Sequence, residues 1–479
     1  MAVAPLSLAN VQGDILFGLP KQTQSFFFFQ IDQVDAFRSN LSNLVPLITS
    51  AQQTQTNISE IRQFKIKNNI AVDAGDGEVV HPDVITVSGV NIAFSAKGLQ
   101  KSKFSTKLTF MRIGILDDIN DTLFNNGMKS DASNLGDSGM QQADGTFQPD
   151  WDDTFLQEIH GVTLVTGDSH DTVNDKLASV KDILSGTVTE ISTLSGDVRP
   201  GDEAGHEHFG YKDGVSNPAV QDVEAINPGQ ATIDQGVALL GRGVDTATTR
   251  PSWALDGSFM AFRKLPQLVP EFDKFLLDTA KTQDAADLMG ARFVGRWKSG
   301  APIMNATTQD DPALGADATL NNDFKFVKGD QSACPFAAHI RKMNPRNDLS
   351  ESAIQPHMIL RRGIPFGPEV SDEERQANAT AQERGLLFVC YQSVLSSGFS
   401  FLQQAWANKQ NFPPGDSPTP GFDPIIGQTT SGDVRTMTGA FVNNTSQPLN
   451  LLAQWVNSKG GEYFFSPSIP TLQNVFATS

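Results

Sequence analysis

Two kinds of apolar pattern alternate along the chain. Short runs of apolar residues bounded by polar or glycine residues predict buried strands at Ser25–Ile31, Asp83–Ser88 and Gly161–Gly167; the first holds four successive phenylalanines and the last is closed by glycine at both ends. Helical spacing lies between them. In 171–184, Val173, Leu177, Val180 and Leu184 form one apolar face, and Gly186 follows as a stop signal. The second half repeats this order. Strands are predicted at Phe259–Leu265 and Gly385–Tyr391. Helices are predicted over 270–290, with Phe272, Phe275, Leu276 and Leu288 turned inward, and over Ser400–Asn408. The polar, Pro- and Gly-containing stretch at 221–248 separates two similar α+β units, residues 1–230 and 231–479. Polar loops at 131–150 and 409–422 read as surface excursions.

Composition narrows the function classes. No window approaches the roughly 18–20 uninterrupted apolar residues needed to span a bilayer, so a membrane role is not expected. The formal net charge of -18 repels phosphate backbones and argues against nucleic-acid binding. No glycine-rich phosphate loop follows a strand, which leaves a nucleotide-binding reading without support. Cys334 and Cys390 both sit in apolar contexts and read as buried free thiols rather than a disulfide framework or zinc site. The N-terminus shows no basic region followed by a long apolar run, so the chain reads as intracellular or as a mature form. Sequons at Asn57, Asn120, Asn305, Asn378, Asn443 and Asn444 lean toward secretion. Phenylalanine outnumbers tyrosine 32 to 3, a bias that would suit a protein producing strong oxidants, because Phe fills a core without an easily oxidised ring.

Three segments carry candidate chemistry. His339 follows the small residues Ala337 and Ala338, which leave room for a flat partner. Arg341, Lys342 and Arg346 come after it. An imidazole can bind haem iron while nearby cations pair with haem propionates. Asp213 lies between Gly210 and Gly214, where the backbone can approach something bulky. Arg361 and Arg362 end an apolar stretch and cannot both be buried without partners.

Taken in order, these segments resemble the dye-decolorising peroxidase family, particularly its fungal members. The carriers are Gly210 to Gly214 continued as Val215-Ser216-Asn217-Pro218, His339-Ile340-Arg341-Lys342 with Asn344-Pro345-Arg346, and Leu360-Arg361-Arg362-Gly363-Ile364-Pro365-Phe366-Gly367. Asn10 to Leu16, Val294 to Gly300, Phe422 to Gly427 and Tyr463 to Pro467 match as well, so the resemblance runs nearly end to end.

The resemblance implies two ferredoxin-like α+β domains with antiparallel sheets and haem b (iron protoporphyrin IX) held between or within them. It implies a peroxidase acting on hydrogen peroxide and on small and bulky aromatic substrates, dyes and phenols among them, in an extracellular setting. His339 becomes the haem-iron ligand and Asp423 its hydrogen-bond partner. Asp213 becomes the acid–base shuttle and Arg361 the stabiliser of developing negative charge. Arg341 and Phe366 are expected at the cofactor, Trp406 as a surface electron relay, and Asp348 and Glu351 as possible manganese(II) ligands. Two other readings stay open at this point: a haem- or iron-handling protein without turnover, and an oxygen-dependent alkene-cleaving enzyme on the same scaffold.

Overall fold

Each half of the chain lays down the same succession of elements. In the first half they are β1 (Thr23–Ile31), helix α1 (Val34–Leu44), β2 (Ser88–Ser95), β3 (Gly161–Gly167), helix α2 (His170–Leu184) and β4 (Val188–Asp197). In the second half β5 (Ser258–Pro266) leads into helix α3 (Val269–Ala280). A long crossover holding α4 (Gln283–Val294) and α5 (His339–Met343) then reaches the short strands β6 (Leu360–Arg361) and β7 (Ile364–Phe366). Strand β8 (Gly385–Gln392), a helical turn Phe399–Phe401 that continues as a π-helix over Leu402–Ala407, and β9 (Gly461–Ser466) complete the unit. This computed structural model describes residues 4–68, 86–102, 119–245, 250–429 and 434–477.

All these strands join one antiparallel nine-stranded sheet in the order β6-β8-β5-β9-β2-β3-β1-β4, with β7 also on β8. Within each half the βαββαβ order and the strand neighbours are those of a ferredoxin-like unit. The halves join where β9 pairs with β2 through Phe464 and Phe465. The sheet curls until its far ends meet. A Cβ on Gly196 of β4 would lie 2.4 Å from the Pro365 carbonyl of β7, so only glycine permits that approach.

Curling turns the phenylalanines of both halves toward one another. Phe262 of β5 packs edge-on against Phe26 and Phe28 of β1 at 5.0 and 5.1 Å. These rings are buried in one core drawn from both halves, each contributing roughly 1.5–3 kcal/mol of burial free energy. Residues predicted as separate strand cores therefore make a shared interior.

Several expected boundaries moved. The strand predicted at Asp83–Ser88 is found at Ser88–Ser95, and residues 83–85 lie outside the described residues. The helix over 270–290 is two helices: Lys281 adopts a φ of 74° and Thr282 caps α4 by accepting from the Ala285 N–H. The 131–150 loop begins inside a helix, Met128–Leu135, and carries the buried carboxylates of Asp131 and Asp137. In the 409–422 loop, Phe412 is buried. Cys334 and Cys390 are free and buried, as expected. Among the described residues no helix is long and apolar enough to cross a membrane.

Candidate active site

His339 opens α5, and its ring meets the loop that carries Asp423. Nδ1 lies 2.8 Å from Oδ2 of Asp423. A carboxylate only accepts, so Nδ1 carries the proton and Nε2 presents a lone pair. Asp423 is fully buried, and its other oxygen accepts from the N–H groups of Ile425 and Ile426 at 2.8 and 3.0 Å. Burial raises its pKa, but the His339 ring and these donors outweigh burial and hold it below the ordinary value. The His339 side chain remains 29% exposed, and its Nε2 makes no hydrogen bond among the described residues. The ring is thus oriented by a satisfied carboxylate, with one nitrogen open to a ligand.

The second group is drawn from two other elements. Arg361 lies on β6, a two-residue strand at the end of the sheet path, and its Nη1 donates to Asp213 Oδ1. The Gly214 N–H donates to the same oxygen at 2.7 Å. Asp213 Oδ2 makes no hydrogen bond among the described residues. Burial pushes the Asp213 carboxyl upward, yet the Arg361 guanidinium prevails and holds it below the usual 3.8, with His339 contributing in the same direction. Residues 213 and 361 are therefore joined, within electrostatic range of residue 339.

The loop holding Asp213 is buckled by Glu207. Its carboxylate accepts from the N–H groups of Phe209 and Tyr211, each at 2.9 Å, and from the Gln267 amide. The segment Asn10–Leu16 supports the other partner. Carbonyls of Asp14 and Leu16 accept from Arg362, which in turn donates to the Arg361 carbonyl at 2.9 Å.

Other expected site residues are placed differently. Arg341 is not available to a cofactor: it is fully buried and commits all five of its N–H donors to Asp348, Asp330, Cys334 and Val327. Its neutralising partner is Asp348, so Asp348 is not an open manganese ligand either. Among the described residues no cluster of metal-binding side chains occurs. Lys342 donates to the carbonyls of Trp406 and Lys409, and Arg346 to those of Gly229, Asn322 and Phe324.

Phe366 points away from Arg361. Arg361 pairs with Cys390 and Phe366 with Gly385, and alternation along β8 sends these two positions to opposite faces. The Phe366 ring instead sits 5.5 Å from the Lys264 ammonium. Trp406 is not at the surface. It is 3% exposed, stacked on Phe412 at 4.8 Å and edge-on to Phe401 and His357.

Sequence reasoning missed Leu386 and Phe388. Both are half-buried apolar residues of β8, on the face that also carries Arg361. The strand is apolar on both faces, so no alternation marked them. They wall the Arg361 side with hydrocarbon.

An oriented imidazole lone pair near an acid–guanidinium pair is a donor set that fits haem iron in a peroxide-cleaving enzyme. Comparison with known proteins specifies the class. Residues 10–200 match the model of the DyP dimeric alpha+beta barrel domain, and residues 205–412 that of the Dyp-type peroxidase C-terminal domain. The chain belongs to the dye-decolorising peroxidase family. It is 42% identical to a dye-decolorizing peroxidase of Auricularia auricula-judae, over 98% of this chain and 87% of that protein. It is 41% identical to one of Mycena epipterygia over the same shares. A solved variant of the dye-decolorizing peroxidase from Pleurotus ostreatus superposes with a TM-score of 0.89 at 43% identity, covering 99% of this chain and 100% of that one. The protein is accordingly a haem-dependent peroxidase of fungal type that uses hydrogen peroxide.

Proposed function

We propose that His339 holds the iron of haem b, that Asp213 moves the peroxide proton, and that Arg361 stabilises the charge that develops as the O–O bond breaks. Haem, when bound, supplies the electrons that reduce peroxide. The rest falls to the chain. Asp213 Oδ2, the oxygen not engaged by Arg361 or Gly214, takes the proton from one peroxide oxygen and returns it to the other. Arg361 holds that carboxylate ionised and places its positive charge beside the departing oxygen. Asp423 keeps the His339 proton on Nδ1 and makes Nε2 a stronger donor.

The observation that carries this reading is the junction of Asp213 with Arg361, 148 residues apart in sequence, within electrostatic range of His339. Leu386 and Phe388 favour aromatic reductants such as dyes and phenols at this face. The two βαββαβ units lie on either side of a division between 230 and 231, which we take as the domain boundary. An extracellular setting accords with the acidic surface and the sequons. The test is Asp213→Asn mixed rapidly with peroxide: the rate of peroxide reaction should fall about 10²–10⁴-fold, and an unaltered rate would assign the proton transfer to another group.

A further inference from the structure

The junction of Asp213 and Arg361 needs a device that fixes where the two elements sit, because Arg361 stands on a strand of only two residues at the end of the sheet path. The Arg362 N–H donates inward to the Val389 carbonyl of β8 at 2.7 Å. Backbone groups alternate along a strand, so the N–H and C=O of Arg361 face outward, where a further strand would normally pair. Asn217 occupies that place. Its Oδ1 accepts from the Arg361 N–H at 3.1 Å, and its Nδ2 donates to the Arg361 C=O at 3.3 Å. A carboxamide has the donor and acceptor of a peptide group, so this side chain acts as a one-residue surrogate strand. It is 3% exposed. Its own backbone is tied to the Asp213 loop, with its N–H directed at the Gly214 carbonyl and its C=O accepting from Gln230 at 3.0 Å.

From this arrangement we infer that Asn217 is a positioning residue for the peroxide reaction: its carboxamide locks the Asp213 loop to the Arg361 backbone and so sets the acid–guanidinium geometry. The chemistry selects asparagine. Aspartate lacks the donor, serine lacks the paired geometry, and glutamine places the same amide one methylene further out. Among the groups about the pair, Arg361 lowers the Asp213 pKa most, His339 acts in the same direction, and the Asp213 charge raises the pKa of Glu207. A slackened Asn217 contact would leave this set of charges in place and alter only the separation of Asp213 from Arg361.

The inference rests on the proposed roles of Asp213 and Arg361, and the experiment separates the two. Holoenzymes carrying Asn217→Ala, Asn217→Gln and, in parallel, Asp213→Asn are compared for the second-order rate with peroxide, for cyanide affinity read from the Soret shift, and for melting temperature. Displacing reacting groups by about 1 Å is expected to slow the peroxide reaction roughly 10–100-fold in Asn217→Ala. Cyanide binding should weaken alongside, because the Arg361 donors no longer converge. Asn217→Gln retains both hydrogen-bonding groups and should fold, with a smaller loss in both readouts. Unchanged peroxide rate and cyanide affinity in a folded, haem-loaded Asn217 variant would overturn the inference. Loss of haem or fold in both variants would also overturn it in favour of a purely structural role. If Asp213→Asn alone leaves the peroxide rate intact, the failure belongs to the proposed function.

Discussion

The two sides of the site are built in opposite ways. On the His339 side the supporting carboxylate of Asp423 is fully buried and both of its oxygens have partners. On the Asp213 side the acid and guanidinium are 37% and 30% exposed, and one carboxylate oxygen has no partner among the described residues. A fully satisfied buried network holds one geometry and one tautomer. A partly exposed pair with one unengaged carboxylate oxygen can exchange a proton with a small molecule. The first side is built to hold and the second to react, and each accepts a different kind of damage.

After Asp213→Asn, the largest effect short of losing the cofactor should follow from Arg361→Ala. Peroxide turnover should drop about 10²–10³-fold, measured by stopped-flow absorbance. The same variant shifts the pH profile. Arg361 lowers the Asp213 pKa, so the native carboxylate should stay ionised to lower pH than an ordinary aspartate, and the acid limb of the peroxide reaction should lie correspondingly low. Without the guanidinium, burial dominates, the pKa rises and the acid limb moves to higher pH. An acid limb that stays in place would separate Asp213 from the reaction.

Damage to the holding side should be milder. Asp423→Asn keeps the shape but removes the carboxylate that orients His339. A loss of about 10–100-fold in haem affinity or activity is expected, read by haem transfer to an apo-acceptor. An equal loss from Asp423→Asn and Arg361→Ala would erase the contrast between the sides.

Much of this contrast was legible in the chain, for a physical reason. Strands such as Thr23–Ile31 and Gly385–Gln392 announce themselves because they are apolar on both faces, and His339, Asp213 and Arg361 stand in short motifs whose glycines and small residues have few other uses. Partner choice was not legible. Arg341 lies two residues from His339, yet turns into a cage of carbonyls around Asp348, since a buried guanidinium must satisfy all its donors locally. Phe366 was lost to a question of parity: one residue along a strand exchanges the faces. Trp406 lies on a helical segment, but its exposure was decided by Phe412, from a loop whose polar composition pointed outward. The joining of both halves into one sheet depends on β2–β9 pairing between residues more than 360 apart, Ser95 with Phe464, which no local pattern records.

Smaller effects test those corrections. Trp406→Ser should destabilise the fold by about 3–5 kcal/mol, because it empties a packed aromatic stack, and Trp406→Phe should cost roughly 1.5 kcal/mol or less. Thermal melts compare the two, and equal melting temperatures for Trp406→Ser and the native protein would return Trp406 to the surface. Phe366→Ala should leave the peroxide rate within about twofold, since its ring faces Lys264 on the opposite side of β8 from Arg361.

The most direct measurement is the visible spectrum of purified His339→Ala beside the native protein, with and without added imidazole. The native protein should show the Soret band of a histidine-ligated haem. The variant should lose that band or shift it markedly, and imidazole should restore it by occupying the vacated position. A native-like Soret band in His339→Ala without imidazole would contradict the account, because the iron would then be held by some other group.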